Sequence, residues 1–100
     1  MKINNIYENL EYNEIEEVVT NLFEDDNVNI LRIASFNQTT DWMEDKRKEV
    51  AILLEGEAKI EFKDRTLEIK KGDVIYINPL ESHRVINISP DGLWLCVYFT

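Results

Sequence analysis

The 100-residue chain holds one cysteine, Cys96, and one histidine, His83. A lone cysteine has no partner within the chain, so no internal disulfide can staple the fold, and the pattern fits a reducing compartment. Positive charge is scarce too. Eleven Lys and Arg stand against twenty Asp and Glu, a net charge of -9. A phosphate backbone or an anionic membrane surface is repelled by such a chain, which argues against nucleic acid and membrane as partners. The opening "MKINNIYENLEYNE" is polar and acidic with isolated apolar residues, and it lacks the apolar run of a signal peptide or membrane span. The expectation is a cytoplasmic protein. Gly-rich phosphate loops, nucleophile elbows and paired-cysteine zinc motifs are also missing.

What is present describes one compact domain over residues 1–100. At 44% hydrophobic and 31% charged content, a chain of this length buries roughly two thirds of its unfolded surface. Neither repeat nor Pro/Gly/Ser linker divides it. Residues 1–13 are the least regular part and read as an N-terminal arm. From Glu14 the pattern is extended: "EIEEVV" is β-branched and alternating, while "TNLFEDDN" offers Thr20 as a cap and predicts a short helical turn. A strand is expected over Val28 to Phe36, where Ile30, Leu31 and Ile33 break strict alternation and imply burial on both faces or a bulge.

The second half is more regular. "EVAILLE" reads as an apolar strand, Gly56 as a tight turn, and "AKIEF" as its hairpin partner, with Ala58, Ile60 and Phe62 on one face. Further turns at Lys63-Asp64, "KKGD", Pro79 and "SPDG" punctuate "RTLEIK", "VIYI", "HRVINI" and "LWLCVYF". Short strands at regular spacing with almost no helix predict an all-β, antiparallel barrel or sandwich.

Two blocks in this strand series resemble the two motifs of the cupin superfamily. The second cupin motif has the form G-x5-P-x-G-x2-H-x3-N, and Gly72, His83 and Asn87 stand at its spacing. Pro79 is one place late, and Leu80 or Glu81 stands where a glycine is usual. The first motif has the form G-x5-H-x-H-x3,4-E-x6-G, and Glu49 and Gly56 match its second half. Where the motif has its two histidines, this chain has Trp42 and Glu44 or Met43 and Asp45, depending on the spacer. The resemblance runs from about Asn27 to Phe99 and implies a small single-domain cupin: an antiparallel double-stranded β-helix, or jelly roll.

The family's metal site uses the two first-motif histidines, the glutamate and the second-motif histidine, so the resemblance carries over only Glu49 and His83 as ligands. Asp45 reads either as a third ligand, giving a set conceivable for manganese or iron, or as a solvated residue of the charge-dense "MEDKRKE". The cofactor that the resemblance implies is a divalent transition metal (Mn, Fe, Ni or Zn). By period two Glu49 shares a face with Ala51 and Leu53, the interior of a cupin barrel, and a buried lone carboxylate protonates or finds a partner. His83 is the partner that the family geometry offers. Trp42 and Tyr76 are candidate pocket aromatics, and Cys96, beside Trp94 and Tyr98, reads as an inert packed thiol.

Together these features point to a barrel that binds a small molecule in its interior. Two alternatives stand beside it: a metal-dependent cupin enzyme of the isomerase, dioxygenase or decarboxylase kind, and a non-catalytic scaffold or regulatory domain. Apolar residues on both faces of "AILL" and "NILRI" add the expectation of a homodimer, with the N-terminal strand packing on its mate.

Overall fold

The computed structural model describes residues 3–100 and is all-β. Eight strands follow in order: β1 Val18–Glu24, β2 Val28–Ser35, β3 Lys48–Glu55, β4 Glu57–Phe62, β5 Thr66–Lys70, β6 Val74–Ile77, β7 His83–Asn87 and β8 Gly92–Phe99. They form a five-stranded sheet in the order β1-β2-β8-β3-β6 and a three-stranded sheet in the order β5-β4-β7. Every pairing is antiparallel. The inward residues of both sheets alternate along each strand and meet in one core, with Leu53 and Ile60 fully buried.

Three local expectations change. Val18–Glu24 is strand throughout, with no helical turn at Thr20. Pairing to β2, interrupted by a register shift between Asn21 and Phe23, outweighs the capping signal. The Asp25 carboxylate accepts from the backbone N–H groups of Asn27 and Val28, both at 2.8 Å, and closes the β1–β2 hairpin. Regular pairing also starts later than Glu14. The Asn13 side-chain oxygen accepts from the N–H groups of Ile15 and Glu16, holding that stretch in a local turn before β1.

The third change concerns β3 and β4, which are not a hairpin. β3 pairs with β6 and β8, whereas β4 pairs with β5 and β7. Gly56 is the corner at which the chain leaves one sheet for the other, at φ +94°. A Cβ there would stand 2.4 Å from the Ser89 hydroxyl and 2.9 Å from the Gly92 backbone. Both the dihedral and the close approach therefore require glycine.

The arm is fastened to the sheet. Arg32 in β2 points away from the interior and is buried (8% exposed). Its Nη1 donates to the carbonyls of Ile6 at 3.0 Å and Glu8 at 2.7 Å, and its Nη2 to that of Asn9 at 3.5 Å. Residues 1 and 2 of the expected arm lie outside the described residues.

Candidate functional site

Glu49 and His83 arrive from different sheets. Glu49 sits in β3, opposite Ile77 of β6 and Tyr98 of β8, and its alternation with Ala51 and Leu53 turns it inward. His83 opens β7, opposite Phe62 of β4. The segment before β3 also runs along β7: Met43 and His83 exchange backbone hydrogen bonds of 2.8 and 3.0 Å, and Thr39 bridges to Ile86. Both titratable side chains are nearly inaccessible from outside, at 6% and 3% exposure. His83 Nε2 lies 3.9 Å from Glu49 Oε1, a charge contact too long for a hydrogen bond.

The far side of the imidazole fixes its orientation. His83 Nδ1 lies 2.8 Å from the Glu81 carbonyl oxygen. A carbonyl only accepts, so Nδ1 carries the proton, and in the neutral ring Nε2 is left as an acceptor. Burial raises the pKa of Glu49, opposed by the neighbouring imidazole and by the Cys96 and Tyr98 side chains. Burial likewise pushes the Cys96 thiol and the Tyr98 phenol up, with the Glu49 charge adding to both. Cys96 is thus a protonated, packed thiol.

These groups line a cavity of about 320 Å³ between the sheets. Its walls are mostly apolar, including Leu31, Ile33, Ile60 and Val85, with Trp94 and Tyr98 as its aromatic members. Glu17 and Asp41 also line it. Two of them escaped the sequence reading for a physical reason: Glu17 lies just before β1 in an acidic stretch, and Asp41 lies in an irregular segment, so no periodicity assigns either a face. Asn87, at the last position of the second motif, orders this wall from behind. It accepts from Trp94 Nε1 at 2.9 Å and donates to Glu17 Oε2 at 3.1 Å.

Trp42 and Tyr76 do not line the cavity. Tyr76 alternates to the outer face of β6 and is 49% exposed. Trp42 lies on the surface with Lys63 4.0 Å and Arg84 5.2 Å from its ring centroid. Met43 takes the inward place next to it. The spacer ambiguity is resolved accordingly, with Met43 standing where a first-motif histidine would face the interior.

The donor set for the family's metal is incomplete. Among the described residues no three His, Cys, Asp or Glu side chains are grouped to hold an ion. Asp45 does not join Glu49 and His83, because its carboxylate is forked onto Arg47, at 3.0 Å to Nε and 2.9 Å to Nη2. One imidazole and one carboxylate do not make the family's four-ligand site.

The motifs, the two-sheet topology and the interior glutamate-histidine pair agree with a comparison against family models, in which the cupin domain matches residues 37–98. The chain belongs to the cupin family. Solved cupin structures share the fold. A Ralstonia eutropha protein provisionally assigned as a mannose-6-phosphate isomerase superposes with a TM-score of 0.88 at 23% identity, covering 99% of this chain and 98% of that one. A cupin superfamily protein from Desulfitobacterium hafniense gives 0.83 at 20% identity, covering 90% and 83%. An RmlC-like cupin from Desulfovibrio desulfuricans gives 0.83 at 18%, covering 98% and 96%. No curated protein matches. At these identities the likeness establishes the double-stranded β-helix, and the site must speak for the chemistry.

Proposed function

We propose that this cupin binds a small molecule between its sheets, with Glu49 and His83 as the polar contacts at the cavity wall. The observation that carries the reading is the cavity itself: about 320 Å³, mostly apolar, with two deeply buried ionisable side chains facing it. Well-formed apolar pockets with a few convergent polar groups are the usual form of a ligand site. A volume of this size holds roughly ten waters, hence a ligand of about ten non-hydrogen atoms.

The metal-dependent enzyme reading has less support, because Met43 and an Arg47-bound Asp45 replace the inward first-motif ligands. Elemental analysis of protein purified without added metal decides between the two. A stoichiometric transition metal reverses the order. Ligand binding is tested by titrating small-molecule mixtures and following the Trp94 indole and His83 ring signals by NMR. Loss of the response in Glu49→Ala and His83→Ala, with the fold retained, is the expected result. Response of surface signals alone sinks the reading.

The homodimer belongs to the same proposal. On the outer face of the larger sheet Ile30, Val97, Val50 and Tyr76 stand in one row across four strands, and Leu95, Ile52 and Val74 in the next. Tyr76 and Val74 are 49% and 64% exposed, a face that a second copy would cover. A monomer by light scattering at micromolar concentration removes this part.

A further inference from the structure

Resting on that binding reading, we infer that the ligand is a small organic cation, an ammonium group on a compact apolar body, held by an acceptor-lined cavity with neither Lys nor Arg among the described residues of its wall.

The charge census comes first. Glu17, Asp41 and Glu49 line the cavity, and among the described residues neither Lys nor Arg does. Arg47, outside the wall, stacks 4.6 Å from the Tyr98 ring centroid and is already forked onto Asp45. Arg84, beside His83 in sequence, alternates outward and bonds Glu61 at 2.9 Å. An anionic ligand would therefore meet three carboxylates, with no Lys or Arg among the described residues of the wall to compensate. The sugar phosphate suggested by the Ralstonia protein's provisional assignment fits poorly here.

The hydrogen-bonding capacity points the same way independently of charge. His83 is 3% exposed, and its Nε2 is an acceptor without a hydrogen-bond partner among the described residues. Glu17 accepts from Ser35 Oγ at 2.9 Å and from Asn87 Nδ2 at 3.1 Å, both at Oε2, so that Oε1 has no donor among the described residues. On the donor side the Trp94 N–H is committed to Asn87 and the Thr40 hydroxyl to the Asp41 carbonyl. The Tyr98 hydroxyl and the Cys96 thiol remain, both next to Glu49. A site rich in acceptors and poor in donors is complemented by a ligand that only donates, which is what an ammonium does. Trp94 and Tyr98 supply ring surface of the kind that attracts cations, and the net charge of -9 concentrates them near the protein.

Three probes of similar shape separate the possibilities: isoamylamine, isoamyl alcohol and isovalerate, titrated at neutral pH into the full chain and followed by the Trp94 indole N–H signal. The ammonium should bind roughly tenfold or more tightly than the alcohol, weaken with added salt, and leave isovalerate without measurable binding. Glu17→Gln and the surface-exposed Asp41→Asn should each weaken the ammonium by roughly three- to tenfold, a larger loss than either causes for the alcohol. If the alcohol or isovalerate binds as well as the ammonium, the charge assignment is overturned while small-molecule binding stands. If none of the three shifts the indole signal at millimolar concentration, the binding reading itself falls, and this inference with it.

Discussion

The two faces of the larger sheet each bury a charged side chain, and the two are treated in opposite ways. On the outside, Arg32 is enclosed by the arm, whose Ile6, Glu8 and Asn9 carbonyls point at the guanidinium. Thr20 Oγ1 adds a fourth contact at 3.4 Å. On the inside, Glu49 faces open volume, with the His83 imidazole held at 3.9 Å. A buried ion that the chain itself coordinates is structural; one that the chain leaves facing a cavity costs stability. The contrast separates scaffold from site without reference to any relative.

Breaking the satisfied side should have the largest effect. Arg32→Met leaves three inward carbonyls without their donor and releases the arm, so urea denaturation should show a loss of about 2–3 kcal/mol. Limited proteolysis should then cut within the first thirteen residues. An unchanged midpoint and an intact arm would mean that the carbonyl cage contributes nothing.

Relieving the unsatisfied side should act with the opposite sign. Glu49→Gln should stabilise the fold by on the order of 1 kcal/mol at mildly alkaline pH, because it removes the buried charge. Glu49 has its folded pKa raised above 4.5, chiefly by burial. The native state then binds the proton more tightly than the unfolded chain does. That contribution to stability is complete below the unfolded value and is lost as pH rises through the folded one. The advantage of the glutamine variant should accordingly grow from pH 4.5 upward and vanish below it. An advantage independent of pH would show that packing, not charge, sets the difference.

A smaller effect sharpens the comparison at the turn that delivers His83. Leu80 holds φ +61°, a left-handed conformation unfavourable for a leucine, and its side chain is 61% exposed. Leu80→Gly should gain about 0.5 kcal/mol, the relief of strain less the added flexibility of the unfolded chain. A loss would show that the leucine contributes contacts that exceed its strain. Smallest of all, Trp42→Ala and Tyr76→Ala should change ligand affinity by less than about twofold. A larger loss would place the binding surface outside the barrel.

The sequence by itself determined the strand series from β2 onward, the family and the inward placement of Glu49 and His83, because each of these follows from local periodicity or motif spacing. Alternation with Ala51 and Leu53 is enough to turn Glu49 inward, and the second motif sets His83 six residues after Ile77. It also exposed the degeneracy of the first motif, although not which register of the spacer holds. Only the tertiary structure decided that. The Met43–His83 backbone pair fixes which residue faces in, and Leu80, by its dihedral, takes the glycine's place in the second motif. The same holds for the corner at Gly56, where a one-residue break reads as a hairpin until the strands are seen to pair in separate sheets. Glu17, Asp41 and the carbonyl cage of Arg32 were illegible for a common reason. Each depends on irregular segments brought against a sheet by contacts distant in sequence, and no periodicity along the chain encodes such contacts.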